Sequence, residues 1–252
     1  MRILVTNDDG LTSEGIQVLA SVLRRDHEVW VVAPSTNRSG VSHGISMTDP
    51  LQFRPFGERE YSCSGLPVDC SITGSLGIMP TRPDLVLSGI NRGANMGTDI
   101  VYSGTAAAAR QAVFSGLRGI AVSLVAEEDP FFWEPLACFV RDNLATLVSL
   151  CSADCFVNIN APSRQEYRGV RMTNVSRRNY RDSIVMHDGP DGNKYSFFRG
   201  GITETDGDEN SDWRAVEDGY VSVSCIYAHP VSIPGGCAIV QDIRSGRTGG
   251  AV

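Results

Sequence analysis

Residues 2–10 read Arg2-Ile3-Leu4-Val5-Thr6-Asn7-Asp8-Asp9-Gly10, a short apolar segment that runs directly into two adjacent carboxylates. The segment has the composition of a buried strand, and open α/β sheets bind ligands at the carboxyl ends of their strands. Two ionised carboxylates repel each other unless a cation or a proton neutralises them. The pair therefore indicates a metal site, and an Asx turn that caps the next helix is the structural alternative.

Two further apolar segments also end in polar loops. Residues 27–33 run into a loop that contains Ser39, and residues 84–88 run into a Gly-rich loop that contains Asn91. The carboxyl ends of parallel strands share one edge of a sheet, so we expect Asp8, Asp9, Ser39 and Asn91 to converge there. Carboxylate, hydroxyl and amide oxygens are ligands for Mg²⁺ or Mn²⁺.

A Ser-Gly-Thr turn precedes the segment with the strongest helix propensity in the chain, residues 106–113. Ser103, Gly104 and Thr105 would therefore lie at a helix N-terminus, where free backbone N–H groups form an anion site. An ordinary Ser/Thr cap is the alternative for this turn taken by itself. Its proximity in sequence to Asn91 favours a phosphate site beside the metal.

The remaining pattern predicts an α/β fold, a Rossmann-like, doubly wound and mostly parallel sheet. We expect residues 1–160 to form the catalytic core with the metal site, and residues 161–252 to form a smaller β-rich subdomain or swapped arm. The acidic run 203–212 is either a solvated loop or a subunit contact. We expect helices over 13–25, with Ser13 as cap, 67–74, 104–115 and 135–149, and strands near 2–6, 27–33, 84–88, 119–124 and 154–159.

Composition excludes several classes of protein. A net charge of −7 argues against duplex nucleic acid as a partner. No apolar run approaches the roughly 18–20 residues that span a bilayer, and the apolar segment before Asn7 is too short for a secretory signal. The seven cysteines form no CxxC pair and are expected to be reduced thiols. These features predict a cytoplasmic protein without a membrane partner.

Two further features each leave two interpretations open. His43 follows Ser39 by four residues and is either an acid–base group or a hydrogen-bonding residue of the loop. The segment Phe131-Phe132-Trp133 is either a base-stacking patch or a helix-start staple that packs into the core.

Four blocks of the sequence carry a resemblance to a known family: Ile3-Leu4-Val5-Thr6-Asn7-Asp8-Asp9-Gly10, Ala33-Pro34 through Ser39-Gly40, 88–97, and Tyr102-Ser103-Gly104-Thr105. These blocks resemble the SurE family of nucleoside-monophosphate phosphatases. The resemblance implies that Asp8, Asp9, Ser39 and Asn91 are the metal ligands. It also implies that Asn95, Ser103, Gly104 and Thr105 line the phosphate pocket. After Val223 the chain departs from the family ending, so the C-terminal contacts are not carried over.

The residues and the resemblance together predict an enzyme, a 5′-nucleotidase or acid-phosphatase-like phosphomonoesterase. It would hydrolyse nucleoside 5′- or 3′-monophosphates, with Asp8 and Asp9 as catalytic residues and one divalent ion, Mg²⁺ or Mn²⁺, per subunit. The alternative is a metal-dependent nucleotide-binding or sensing protein without turnover. The resemblance also implies a homodimer or homotetramer, with the block 165–230 as the exchanged element.

Overall fold

A computed structural model describes residues 1–126, 128–200 and 203–232 of the chain. The strands are β1 Arg2–Thr6, β2 Glu28–Pro34, β3 Phe53–Gly57, β4 Glu60–Cys63, β5 Leu85–Arg92, β6 Arg118–Val125, β7 Cys155–Pro162, β8 Val170–Met172, β9 Arg177–Tyr180, β10 Ser183–Asp188, β11 Lys194–Arg199, β12 Thr203–Asp206 and β13 Val221–Tyr227. The helices are α1 Glu14–Leu23, α2 Pro67–Thr73, α3 Asp99–Tyr102, α4 Gly104–Phe114, α5 Trp133–Asp142, α6 Leu144–Leu150 and α7 Asp212–Glu217.

Nine strands form one sheet in the order β3-β4-β2-β1-β5-β6-β7-β13-β8. The strands from β4 to β7 in this order are all parallel, whereas β3 and β13 run antiparallel to their neighbours β4 and β7. The chain builds outward from β1 to β2 and then returns to β5 on the other side of β1. This reversal of strand order is the position at which open α/β sheets bind ligands. The mostly parallel, doubly wound α/β fold is confirmed.

Helices cover both faces of the sheet because the side chains of its strands alternate. Ile3 and Val5 of β1 pack in one buried cluster with Leu19 of α1 and Leu136 of α5. Leu4, between them, belongs to the cluster on the opposite face, as does Ala112 of α4. The central strands β1, β5, β6 and β7 are buried on both faces, as expected for parallel strands between two layers of helices.

The predicted helix over 135–149 is wrong as a single helix. The structure has α5 and α6, which are separated at Asn143. The Asn143 side-chain amide donates to the Phe139 carbonyl at 2.8 Å, and such side-chain bonds compete with the helical backbone pattern. The other predicted helices agree with α1, α2 and α4 to within one or two residues. The short α3 and a π-helical turn over Gly74–Ile78 were not predicted.

The predicted strand over 84–88 is longer in the structure. β5 continues to Arg92, with an irregular register against β6 between Ser88 and Asn91. Gly89 lies there at φ +136°, and a Cβ at this position would come within 2.3 Å of the Val122 carbonyl oxygen. Only glycine fits this close approach. Asn91 consequently lies on the sheet edge itself and not in a loop.

The segment after residue 160 contributes to three sheets. β8 and β13 complete the main sheet, β9 pairs with β12, and β10 pairs with β11 as a separate two-stranded hairpin. The acidic run 203–212 contains β12 and then the start of α7, where the Ser211 hydroxyl accepts the Arg214 N–H. The division of the chain at residue 160 stays a prediction, and the main sheet crosses it. Cys237 and the rest of the tail from residue 233 lie outside the described residues.

No helix within residues 1–126, 128–200 and 203–232 is long and apolar enough to cross a membrane.

Candidate functional site

The turn after β1 is built by Asn7. Its side-chain amide donates to the Gly10 carbonyl at 2.9 Å and to the Ser13 hydroxyl at 2.8 Å, and its Oδ1 accepts the Gly10 N–H at 3.2 Å. An Asx turn is therefore present, but Asn7 forms it, so the two following carboxylates are free for other contacts. Ser13, the predicted helix cap, uses its hydroxyl to accept from Asn7 and makes no cap hydrogen bond.

Asp8 lies at the centre of the site and is only 3% exposed. The Thr105 hydroxyl donates to its Oδ1 at 2.6 Å, and the Thr105 backbone N–H donates to its Oδ2 at 3.2 Å. Burial raises the pKa of the Asp8 carboxyl, and the two bonds from Thr105 oppose this increase. Thr105 thus holds a buried carboxylate at the N-terminus of α4.

Asp9 is held by a backbone N–H group of the neighbouring strand, β5. Its Oδ2 accepts the Arg92 backbone N–H at 2.9 Å. Burial raises the pKa of the Asp9 carboxyl to about 6, and repulsion from Asp8 raises it further while the contact with Arg92 lowers it. Both members of the pair therefore resist ionisation in the metal-free protein, and a bound cation would relieve that cost.

Residues from three loops line one cavity of about 260 Å³, which we call the small cavity. Its predicted members are Asp8, Ser39, Asn91, Asn95 and Ser103. Asn91 is 8% exposed and donates its amide N–H to the Gly93 carbonyl at 3.0 Å. The Asn91 Oδ1, which lies 3.5 Å from the Thr105 hydroxyl, is the side-chain atom that could bind a cation. Carboxylate, hydroxyl and amide oxygens are present together, which fits the ligand set of a hard divalent ion.

The remaining predicted residues, Asp9, Gly104 and Thr105, stand beside the small cavity and do not line it. A Cβ on Gly104 would lie 2.9 Å from the Asp8 Cβ and 3.0 Å from the Pro67 Cγ, so glycine is required where α4 approaches the β1 turn. Ser103 lines the cavity and also accepts the Ala106 N–H at 3.0 Å. Ser103 therefore caps α4 in the ordinary way and also lines the small cavity.

Asn95 is held by a polar network inside the sheet. Its backbone N–H donates to the Asn160 Oδ1 at 2.9 Å, and its side-chain amide donates to the Ser123 hydroxyl at 2.8 Å. The Asn158 and Asn160 amides both donate back to the Asn95 carbonyl. Sequence reasoning did not find these supporting residues. The signal was the recurrence of polar residues within the apolar segments of β6 and β7.

A second group that sequence reasoning did not find lies on the other side of the small cavity. Asp99, Tyr102 and Tyr180 line it. Asp99 accepts from the Tyr180 hydroxyl and forms an ion pair with Arg178. Asp99 and Arg178 are 79 positions apart in the chain, so no local pattern could pair them.

His43 does not line the small cavity. Its Nε2 lies 3.0 Å from the Gln111 Oε1, and its ring packs against Phe114 at 5.5 Å between centroids. Burial lowers the pKa of the imidazole. These contacts favour the loop hydrogen-bonding interpretation over acid–base chemistry.

The aromatic segment before α5 packs against the protein. Trp133 is 6% exposed within the main buried cluster, and Phe131 stacks on it at 5.3 Å. The Arg92 guanidinium lies 4.3 Å from the centre of the Phe131 ring. This arrangement favours the staple interpretation over a base-stacking patch.

Comparison with known proteins agrees with this geometry. A sequence model of the family "Survival protein SurE" matches residues 3–182. The chain is 41% identical over 233 residues to the 5′-nucleotidase SurE of Thermosipho melanesiensis, a match that covers 90% of this chain and 91% of that protein. It is 38% identical over 230 residues to the 5′-nucleotidase SurE of Pelobacter propionicus, covering 90% and 93%.

A solved structure gives the same result at the level of the fold. The crystal structure of the SurE protein from Aquifex aeolicus matches with a TM-score of 0.83 and 32% identity, covering 95% of this chain and 98% of that one. Since the sequence relatives and the fold agree over nearly the whole length, the chain belongs to the SurE family.

Proposed function

We propose that this protein is a nucleotidase that hydrolyses nucleoside 5′- or 3′-monophosphates to a nucleoside and phosphate. The observation that carries the proposal is the small cavity, in which Asp8, Asn91, Asn95 and Ser103 meet at the switch point of the sheet. The relatives named 5′-nucleotidase SurE support the same reaction.

The oxygen atoms around the small cavity support a bound divalent cation, and we propose one Mg²⁺ or Mn²⁺ ion per subunit. Asp8, Asp9, Ser39 and Asn91 would hold it. When bound, such an ion supplies Lewis-acid polarisation of a phosphoryl oxygen and a more acidic water. The raised pKa of Asp9 supports this assignment, because a half-buried carboxylate next to the buried Asp8 is stabilised by a positive charge nearby.

Different side chains of the protein would bind the phosphate oxygens and act on the attacking water. Ser103 and Asn95 line the small cavity and would bind the equatorial oxygens through the hydroxyl and the side-chain amide. Asp8 would orient or deprotonate the attacking water. Thr105 would act through Asp8, because both of its donors are directed at that carboxylate.

The assembly state and compartment form part of the proposal. We propose a homodimer or homotetramer that uses the β10–β11 hairpin, because this two-stranded element exposes large apolar side chains such as Ile184, which is 61% exposed. The negative net charge supports small nucleotides over duplex nucleic acid as partners. The six cysteines in the described residues are free thiols, which supports the cytoplasm as the compartment.

The test is phosphate release from a panel of nucleoside 5′- and 3′-monophosphates, with Mg²⁺, Mn²⁺, Ca²⁺ or a chelator. We expect turnover with Mg²⁺ or Mn²⁺ and none with the chelator. Tight nucleotide binding without phosphate release would overturn the enzymatic proposal. Turnover that survives exhaustive chelation would overturn the metal assignment.

A further inference from the structure

Asp212, the first residue of α7, is a buried carboxylate outside the proposed metal and phosphate contacts. It is 0% exposed, and among the residues that the structure describes no cationic side chain forms an ion pair with it. Burial of an ionised carboxylate is costly unless other groups replace its hydration. The hydrogen bonds of Asp212 therefore indicate what its burial achieves.

Three backbone N–H groups donate to the two oxygens of Asp212. Its Oδ1 accepts from Ser176 at 3.0 Å and from Trp213 at 2.7 Å, and its Oδ2 accepts from Gly97 at 2.8 Å. Hydrogen bonds to an ionised acceptor are roughly twice as strong as those between neutral groups. Gly97 lies 115 positions away in the chain, so this carboxylate joins α7 to the Gly-rich segment that follows β5.

Residues 93–98, which we call the Asn95 loop, lie outside helix and strand and are held at two points. At the first point, two asparagine side chains of β7 bind the backbone of Asn95. At the second point, Asp212 binds Gly97. Gly97 has a φ of +56°, and a Cβ there would lie 2.7 Å from the Ser176 carbonyl oxygen. The loop therefore packs closely against the segment after β8 in a conformation that favours glycine.

The conformation of the Asn95 loop determines the direction of the Asn95 side chain. Asn95 lines the small cavity, and its amide has two N–H bonds, one of which is donated to the Ser123 hydroxyl. The other N–H is the one that the proposed contact with a phosphate oxygen requires. A hydrogen bond weakens steeply as its angle decreases, and a displacement of about 1 Å can cost about 100-fold in rate. A small shift of this loop would therefore weaken phosphate binding.

We propose that Asp212 is a positioning residue for the phosphate site, which acts through Gly97 to hold the Asn95 loop in its binding conformation. The proposal rests on the proposed function and assigns part of that function to the segment after residue 160. Asp212 does not line the small cavity, so it does not contact the phosphate itself. None of its three hydrogen-bond donors is a proposed metal ligand, so its effect is on phosphate and not on the cation.

The experiment uses Asp212→Asn in the full-length protein. An Asn side chain keeps one acceptor oxygen and replaces the other with an NH₂ donor. We expect the oxygen to keep the two bonds from Ser176 and Trp213, so that the NH₂ group faces the Gly97 N–H and this bond is lost. KM for a nucleoside monophosphate should then rise about tenfold, as should the dissociation constant of inorganic phosphate at saturating Mg²⁺. Mg²⁺ affinity should change by less than about twofold.

These measurements separate positioning from a loss of stability. A variant that is partly unfolded has a smaller active fraction, which lowers kcat and the stoichiometry of phosphate binding but leaves KM and the dissociation constants unchanged. Calorimetry with inorganic phosphate and with Mg²⁺, together with steady-state kinetics, distinguishes the two cases. Unchanged KM and unchanged phosphate affinity in Asp212→Asn would overturn the proposal.

Ser211→Ala is the matched control. The Ser211 hydroxyl caps α7 by accepting the Arg214 N–H at 3.3 Å, so its loss weakens the same helix end without removing a donor to Asp212. We expect this variant to be less stable but to keep the KM and the phosphate affinity of the unsubstituted protein. A rise in KM equal to that of Asp212→Asn would show that α7 acts as a whole and would reject the specific bond to Gly97.

Gly97→Ala tests the same bond from the side of the loop and leaves the carboxylate in place. Since a Cβ at Gly97 would displace the loop from Ser176, we expect phosphate affinity to fall about tenfold here as well. If Asp212→Asn does not fold, this variant decides, and unchanged phosphate affinity in it would overturn the proposal.

Hydrogen exchange of the Asn95 loop, measured by mass spectrometry, is independent of any reaction. We expect faster exchange over residues 93–98 in Asp212→Asn and no change there in Ser211→Ala. Unchanged exchange in Asp212→Asn would reject the role of its bond to Gly97, whatever the protein hydrolyses. Faster exchange in a protein that releases no phosphate from any ester would instead count against the proposed function and reject the phosphate role of Asp212 with it.

Discussion

The carboxyl edge of the sheet and the β10–β11 hairpin depart from the usual distribution of side chains in opposite directions. At the edge, charged and polar groups are buried, with Asp8 3% exposed and Asn95 6% exposed. On the hairpin, apolar groups are exposed, with Phe198 70% exposed and Ile184 61% exposed. Buried polar groups and exposed apolar groups are the two informative exceptions to the burial rule.

This difference indicates what would stabilise each region, a positive charge at the carboxyl edge and an apolar surface on the hairpin. A buried carboxylate beside a half-buried one is stabilised by a compensating charge, which the proposed cation would supply at the edge. A two-stranded hairpin with exposed apolar side chains is marginal in water, so we expect it to contact another surface. A cavity of about 600 Å³ lies where the two regions meet, because Phe198 of the hairpin lines it together with Tyr180, which also lines the small cavity.

The strongest test of the edge is the loss of one buried carboxylate. In Asp8→Asn we expect kcat/KM to fall by at least about 100-fold, because metal-site partners alone cost about 10–100-fold when they are removed. Phosphate release with saturating metal measures this, and Asp49→Asn, an exposed carboxylate, is the control. Near-normal turnover in Asp8→Asn would remove this residue from the site.

The next test concerns the hydroxyl that holds Asp8. In Thr105→Val we expect metal affinity to fall about 10- to 100-fold, with rescue of activity at high metal concentration, since a carboxylate loses its orienting donor. Thr73→Val is the matched control, because the Thr73 hydroxyl makes a bond of the same length, 2.6 Å, to a carbonyl of α2. Metal titration by calorimetry measures both. Weakened phosphate binding with unchanged metal affinity would instead support Thr105 as a direct phosphate ligand.

The core and the position of the edge could be predicted because both depend on local sequence. Apolar segments of five to eight residues gave the parallel strands, and the polar residues directly after them had to lie at one edge. Asp8 and Asn91 were therefore expected together, and they line the same cavity.

The partners of the individual side chains could not be predicted, because they come from distant positions. Thr105 was expected to face the phosphate, yet its hydroxyl reaches Asp8, 97 positions away. A contact with phosphate and a contact with Asp8 would each satisfy a hydroxyl at a helix N-terminus. Only the packing of α4 against the β1 turn decides between these two contacts. Asn143 is a similar case, since a single side-chain bond to Phe139 breaks a segment with helical periodicity.

The cost of the carboxylate pair should also appear in stability. The pKa of Asp9 rises from its ordinary value of 3.8 to about 6, so the metal-free folded state holds this proton more tightly than the unfolded chain does. Stability is therefore lost as pH rises through this interval. In chelator at pH 7 we expect Asp9→Asn to raise the free energy of unfolding by about 1–3 kcal/mol, since one pKa unit corresponds to about 1.4 kcal/mol.

This gain should become small near pH 4 and disappear at about pH 3, where the carboxyl is protonated in both states. Urea unfolding at pH 7 and about pH 3, with Asp49→Asn as the control, measures it. A variant that is less stable than the unsubstituted protein at pH 7 in chelator would show that the pair is not strained without metal. The carboxylates at the edge would then cost no more free energy than carboxylates that are hydrogen-bonded at an ordinary surface.

The smallest expected effect concerns the hairpin. Burial of an Ile side chain contributes roughly 1.5–3 kcal/mol, so Ile184→Ser should weaken self-association by at least about tenfold if this residue is covered in the oligomer. Light scattering over a range of micromolar concentrations measures the dissociation constant. Lys194→Ser, which removes an exposed polar side chain from the same hairpin, is the control. A monomeric unsubstituted protein at micromolar concentration would show that the exposed apolar residues of the hairpin do not contact a second subunit.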